Sequence, residues 1–287
     1  MHGILVIDKP GGVSSAMAVE RVRRELGIDR AGHGGTLDPI ATGVLPICVG
    51  AGTKLAQFLL AGDKAYEAVG VLGVETDTLD RTGRVVRERT APVTRAALID
   101  VLATFQGEQD QIPPMYSAIK QGGVRLYDRA RAGEEVERAP RKIRIDRLEL
   151  LGFEPPRFTI AVACSKGTYV RSLVADIGNA LAAGAHLAEL RRTRSGKFTL
   201  DQAVPLDRLA EATLIPPERA TDLPSVTVPS YLVAQVFNGV QLPITTFGAE
   251  GLERFQLVDE HGRLLAVAHP QAGRTVYDRA FPELTRA

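Results

Sequence analysis

Cysteine is scarce: the 287-residue chain has only two, Cys48 and Cys164, far apart and in no C-x-x-C pair. That argues against a disulfide framework and a thiolate zinc site, and both residues read as small buried hydrophobes. Long apolar runs are missing as well. No stretch approaches the roughly 18 residues that a membrane helix needs, and the start, Met1-His2-Gly3-Ile4-Leu5-Val6-Ile7-Asp8-Lys9-Pro10, brings in charge too early for a signal peptide. A cytoplasmic protein without a membrane span is the expectation. Net charge is also small, since 35 basic against 34 acidic residues leave +1, so the total does not announce a polyanionic partner. No internal repeat or low-complexity tract is present.

What is there begins with 45% apolar content, enough over this length for one large domain with its own core and a small second one. The charge is unevenly spread. From Lys120 to Arg147 nine basic residues face five acidic ones, and from His186 to Lys197 four face one. Such stretches are ordinary solvated surface unless a site lies nearby, in which case they become a track for phosphates. From Ser225 onward five basic residues against six acidic ones weaken any electrostatic hold of the tail on a polyanion.

Periodicity predicts a buried strand at Ile4 to Ile7, a turn at Asp8 to Gly12, and a helix capped by Ser14 or Ser15, carried by Val19, Val22 and Leu26 and stopped by Gly27. A glycine-rich loop from Gly32 to Gly43 leads into a strand at Val44 to Val49 and a short helix capped by Thr53. Strands at Tyr66 to Leu72 and Arg84 to Arg87 flank a polar turn from Thr76 to Gly83. Thr94 to Phe105 reads as a capped amphipathic helix. Gln111 to Arg141, with Pro113-Pro114 and Gly122-Gly123, has little periodicity and reads as a mobile excursion. Strands at Ile143 to Leu151 and Phe158 to Cys164 precede a helix over about Tyr169 to Leu181. Pro205 to Leu223 reads as a helix with a Pro216-Pro217 linker, and the apolar runs near Tyr231, Phe255 and Leu264 as a small β-rich tail.

The loop Gly32-His33-Gly34-Gly35-Thr36-Leu37-Asp38-Pro39-Ile40-Ala41-Thr42-Gly43 sets four glycines around one carboxylate. Glycine permits positive φ or close backbone approach, and Pro39 disfavours helical backbone at Asp38, so the acid is presented from a shaped loop. Alternatively, Asp38 only satisfies neighbouring amides in a turn. If it is catalytic, its solitude restricts the reaction. Glycoside hydrolysis normally uses two facing carboxylates. A lone one suffices where a base is detached, kept and rejoined, so isomerisation fits better than hydrolysis.

A second cluster, Ser165-Lys166-Gly167-Thr168-Tyr169-Val170-Arg171, lies at a strand-to-helix junction. Arg171 beside Asp38 would keep that acid ionised and fix its direction, or else it forms a surface ion pair without function. Tyr66 offers a flat ring for an extruded base, or is ordinary core. Asp77 and Asp80 lack companions at metal-binding spacing and suit turn and capping duties. His33 offers a general base or a ligand, but as a loop histidine with no partner in view in the sequence it more simply suits hydrogen bonding or stacking.

These segments together resemble the TruB family of transfer RNA pseudouridine synthases over most of the chain. The resemblance is carried by Gly3 to Pro10 with Ser14-Ser15, Ala31 to Pro46, Asp63 to Tyr66, Thr76 to Asp80, Gln111 to Lys120, Cys164 to Arg171, and Ala185-His186-Leu187 through Leu190-Arg191-Arg192. It implies an α+β pseudouridine-synthase fold with a mixed, mainly antiparallel central sheet flanked by helices. The implied domains are a catalytic one over 1–222, with an RNA-clamping insertion at about 111–141, and a small β-rich PUA-like one over 223–287. It makes Asp38 the catalytic aspartate, Arg171 the arginine that orients it, and Tyr66 the ring that stacks on the target base. Tyr169 would shape the pocket, Leu190 would pack on the base, and Asp80 would join a charged network with Arg171. His33 would replace bases displaced from the RNA loop, and Lys9 with Pro10 would support the active-site loop. Gly34 departs from the family, which often has a polar residue there.

The implied reaction flips out the uridine at position 55 of the transfer RNA T-arm, breaks C1′–N1 and joins C1′ to C5. It leaves open whether Asp38 attacks C1′ or removes the 2′ proton to give a glycal. No cofactor or metal is implied, nor an obligatory protein partner, and a monomer is expected. Two other readings share these features: a guide-RNA-dependent pseudouridine synthase subunit, and a transfer RNA chaperone without chemistry. An intact Asp38, Tyr66 and Arg171 speak against the chaperone.

Overall fold

The computed structural model describes residues 1–285 apart from Ala118, Ala132 and Glu135. The expected opening strand is β1 (Gly3–Lys9), buried almost throughout. In α1 (Ser15–Leu26) the Ser14 hydroxyl accepts the Met17 N–H as N-cap, Ala18 and Val22 turn inward, and Gly27 closes the helix in the left-handed conformation. Then come β2 (Ala31–His33), β3 (Thr42–Val49) and α2 (Ala56–Ala61). Thr53 does not cap α2. A 3-10 turn already runs over Gly50–Leu55, and the Thr53 hydroxyl donates back to the Gly50 carbonyl at 2.8 Å.

The polar turn is flanked by β4 (Lys64–Leu72), β5 (Val74–Thr76) and β6 (Val85–Glu88). Thr94 caps α3 (Arg95–Thr104) and Leu98 and Leu102 bury its inner face. After β7 (Gly107–Gln111), the stretch expected to be irregular holds a hairpin of β8 (Lys120–Gln121) and β9 (Val124–Arg125) and a short α4 (Leu126–Arg131). Strands of two residues are too short to leave an alternating pattern. The long β10 (Arg141–Glu154) and β11 (Arg157–Cys164) then feed α5 (Val170–Ala180).

Next comes β12 (Ala185–Ser195), followed by β13 (Phe198–Thr199) and β14 (Val204–Pro205). The expected helix over Pro205 to Leu223 is absent, replaced by 3-10 turns at Leu209–Glu211 and Pro217–Arg219. Pro216 and Pro217 stop helical bonding at the end of the stretch, and the backbone before them is used otherwise: Ile4 and Ile215 exchange N–H···O bonds of 2.8 and 2.9 Å. In the tail, β15 (Ser225–Thr227) precedes α6 (Ser230–Phe237), then β16 (Phe255–Val258), β17 (Leu264–Gln271) and β18 (Arg274–Ala280). Tyr231 thus lies on a helix, not in a strand; Leu232 and Val236, four apart, form its buried face.

The chain forms two compact units: residues 1–39, 43–61 and 195–287, and residues 40–42 with 62–194. In the first, β1 pairs antiparallel with β3 and parallel with β14, and β2 adds to β3. The same unit holds the four-stranded sheet β15-β16-β17-β18. In the second, β4, β11, β10 and β7 form an antiparallel ladder, with β12 on the other side of β4. The expected class holds: α+β, a mixed but mainly antiparallel sheet, and a β-rich C-terminal part. One face of β11, Phe158, Ile160, Val162 and Cys164, is buried. On α5, Leu173, Val174 and Ile177 are buried too, each contributing about 1.5–3 kcal/mol. Gly178 lets the chain after α5 pass close, since a Cβ there would stand 2.4 Å from the Ala185 nitrogen.

Candidate active site

In the first unit the loop carrying Asp38 is held from three sides. Lys9, fully buried, donates from Nζ to the carbonyls of Pro10 at 2.8 Å, Val13 at 2.7 Å and Pro39 at 3.4 Å. The Gly12 N–H reaches the Pro39 carbonyl at 2.8 Å. The Ser15 hydroxyl accepts the Leu37 N–H at 2.8 Å and donates to the Leu37 carbonyl at 3.1 Å. A buried ammonium that satisfies backbone carbonyls on both sides of a turn acts as a rivet. Asp38, half-buried, thus stands between two pinned residues. Gly35 has φ +149, and Gly34 sits where a Cβ would meet Leu59 at 3.1 Å. The glycine at 34, the departure from the family pattern, therefore fits tight packing against α2. His33, half-buried, ends β2 opposite Ile47.

In the second unit Arg171, 4% exposed on the first turn of α5, aims its guanidinium in three directions. Nη1 donates to the Thr78 carbonyl at 3.2 Å, Nη2 donates to the Tyr116 carbonyl at 2.9 Å, and Nε lies 3.9 Å from Asp80. Asp80 is itself pinned, accepting from the Thr82 N–H and from the hydroxyls of Thr78 and Thr82. Leu79 between them has φ +62, a strained value for a branched side chain, held by Leu79 N–H to Thr76 O and Leu187 N–H to Leu79 O. Asp77 binds the Arg84 N–H at 2.8 Å and its Nε at 3.2 Å, the turn duty expected of it.

Tyr66 and Leu190 lie on the neighbouring strands β4 and β12; Tyr66 is half-buried and Leu190 is 8% exposed. Tyr169 is the N-cap residue of α5 and exchanges two hydrogen bonds with the Gln111 carboxamide. The second unit therefore carries Tyr66, Asp80, Tyr169, Arg171 and Leu190, with Arg171 directly beside Asp80, and the first carries Lys9, His33 and Asp38.

Three features escaped the sequence reading. The carbonyls of Thr78 and Tyr116 have no side-chain signature. Gln111 lay in a recognisable stretch without a role. Lys64 and Arg192, 7% and 1% exposed, are buried cations on β4 and β12, although Lys64 precedes the expected strand and Arg192 lies in a stretch that read as basic surface. Burial, and then the Arg192 charge, push the Lys64 ammonium down to about 8. The basic stretch is also less basic in effect. Arg144 pairs with Asp146, Arg147 with Glu149 and Lys142 with Asp110. Among the described residues no cluster of three His, Cys, Asp or Glu could hold a metal, and no helix is long and apolar enough to cross a membrane.

The fold defines the class, that of the pseudouridine synthases. The chain matches a Cbf5-Nop10-Gar1 complex structure at TM-score 0.75 and 27% identity, over 97% of this chain and 84% of that one. An archaeal box H/ACA sRNP Nop10-Cbf5 complex gives TM-score 0.72 at 26% identity, covering 97% and 85%. Family models narrow this. Residues 23–170 match the N-terminal domain of the TruB family pseudouridylate synthases, and residues 171–231 the C-terminal domain of tRNA pseudouridylate synthase B. The chain belongs to the TruB family. It is 54% identical over 209 residues to the tRNA pseudouridine synthase B of Pseudomonas paraeruginosa, covering 73% of this chain and 69% of that one. The enzyme of the same name from Symbiobacterium thermophilum is 51% identical over 247 residues, covering 84% and 83%.

Proposed function

We propose that this chain, a tRNA pseudouridine synthase, isomerises the uridine at position 55 of the T-arm, with Asp38 as the catalytic carboxylate and Arg171 as the cation that orients it. The observation that carries the reading is the loop itself: one carboxylate set between Leu37, fixed by two buried hydrogen bonds with Ser15, and Pro39, whose carbonyl accepts from Lys9 and Gly12. A pinned single carboxylate suits a reaction in which nothing is added. C1′–N1 breaks with its electron pair leaving on N1, the uracil turns in place, and C5 takes up C1′. The C5 proton is then lost and N1 takes up a proton, so the atoms of substrate and product are the same. Attack at C1′ and removal of the 2′ proton both begin at this carboxylate. Extrusion of the base costs a few kcal/mol, offset in this reading by stacking on Tyr66, packing on Leu190 and His33 filling the vacated stack. Tyr169 shapes the pocket and Asp80 holds Arg171.

In the same reading residues 1–222 are the catalytic domain, 111–141 the RNA-clamping insertion, and 223–287 a PUA-like RNA-binding domain. The protein acts as a cytoplasmic monomer without a guide RNA. The relatives at 51–54% identity are named tRNA pseudouridine synthase B, whereas the structures at 26–27% identity are of complexes with other proteins. The test is release of tritium from C5-labelled uridine in an unmodified T-arm transcript, with no guide present. Release is expected from the wild type, and Asp38→Asn is expected to bind the RNA and release none. Robust release by that variant, or a requirement for added guide RNA, would overturn the reading.

A further inference from the structure

The N-terminal end of α5 is tied to the segment that begins at Gln111 by four hydrogen bonds. The Gln111 carboxamide, on a residue 4% exposed, accepts the Tyr169 N–H at 2.8 Å through Oε1 and donates to the Tyr169 carbonyl at 3.1 Å through Nε2. The Ser172 hydroxyl donates to the Ile112 carbonyl at 3.2 Å, and Arg171 Nη2 donates to the Tyr116 carbonyl at 2.9 Å. Tyr169 is the residue at which the chain enters α5, and its side chain makes no cap hydrogen bond. A carboxamide that answers both backbone groups of one residue fixes where the helix starts. The direction of Arg171, two residues on, follows from that start. The far end of the same segment supplies one of the two carbonyls that hold the guanidinium.

We infer that Gln111 is a positioning residue: by clamping the backbone of Tyr169 it aligns the first turn of α5 so that Arg171 reaches the Thr78 and Tyr116 carbonyls together. The inference rests on the reading of Arg171 as the arginine that orients the catalytic acid. Only a carboxamide of this length meets the two requirements at once, one acceptor and one donor. A carboxylate in its place still accepts from Tyr169 N–H but turns an oxygen toward the Tyr169 carbonyl. Once protonated it donates again.

The experiment compares wild type, Gln111→Ala and the isosteric Gln111→Glu in single-turnover tritium release and in binding to unmodified tRNA, from pH 6 to pH 8. Gln111→Ala is expected to slow the single-turnover rate about tenfold or more, as a small misplacement of a reacting group does, while tRNA affinity stays within about twofold. Gln111→Glu is expected to be slow at pH 8 and to recover toward the wild-type rate as pH falls, because burial raises the carboxyl's pKa and its proton restores the donor. The Glu variant keeps the test open if the Ala variant does not fold. Wild-type rates in both variants would overturn the inference. So would a loss of affinity as large as the loss of rate, or a Glu deficit indifferent to pH. A wild type that releases no tritium would instead overturn the functional reading on which the inference stands.

Discussion

Ser14 and Ser15 are adjacent and chemically identical, yet the structure gives them different work, so replacing each by alanine separates helix capping from support of the loop that carries Asp38. The Ser15 side chain, 3% exposed, accepts the Leu37 N–H at 2.8 Å and donates to the Leu37 carbonyl at 3.1 Å. Ser15→Ala removes both partners at once and leaves two backbone groups in a dry setting. Each unanswered group costs about 1–3 kcal/mol. With some relaxation of the loop the expected loss of stability is about 2–4 kcal/mol, a fall in Tm of about 3–7 °C for a chain of this size. Leu37 precedes Asp38, so the single-turnover rate should also fall, about tenfold, with tRNA affinity unchanged. Ser14 accepts the Met17 N–H at 3.2 Å in an exposed cap. Its alanine variant should lose about 0.5–1 kcal/mol and no rate. Thermal unfolding and single-turnover release, measured side by side well below either Tm, decide the matter. Equal stabilities for the two variants, or an undiminished rate in Ser15→Ala, would refute the argument that this hydroxyl holds the loop.

Two further outcomes follow from buried cations. Burial, and then the Arg192 charge, lower Lys64 from 10.5 to about 8. Between those values the unfolded lysine holds more proton than the folded one, so unfolding free energy should rise with pH there, by up to a few kcal/mol in all. Cys48 and Cys164, raised by burial to about 12 and 11 from 9.0, act the opposite way above pH 9, because only the unfolded thiols ionise. The Lys64 contribution is therefore read as the difference between wild type and Lys64→Met in urea titrations at pH 7.5 to 10.5, and parallel curves for the two would sink it. For Arg171→Lys, one ammonium replaces a planar fork that serves the Thr78 carbonyl, the Tyr116 carbonyl and Asp80. Turnover is expected to drop at least about 100-fold with tRNA affinity within about threefold; equal losses would contradict an orienting role.

Much of the fold was legible because it rests on local rules. Ser14 and Gly27 bound α1, Thr94 caps α3, and the alternation in β4 and β11 follows from one buried face. The errors fall where tertiary contacts outweigh local signals. The stretch after Pro205 carries apolar residues at helical spacing, but Pro216-Pro217 cut it short and the pairing of Ile215 with Ile4 ties its end to β1. Tyr231 sits in an apolar run that reads equally as strand or helix, and burial of Leu232 and Val236 makes it helix. The site divides in the same way. Asp38, Arg171 and Tyr66, the residues proposed for the chemistry, stand out because each is a reactive or flat side chain in a loop or near the start of an element. Gln111, and the carbonyls of Thr78 and Tyr116, do not, because their contribution is to backbone geometry. A carboxamide that fixes a helix start looks in sequence like any polar residue at the end of a strand. What distinguishes it is that Tyr169 and Gln111, 58 residues apart, answer each other's hydrogen bonds. A side chain that does chemistry is constrained by what it is, and one that aims another is constrained by what it touches. Only the first constraint is written along the chain.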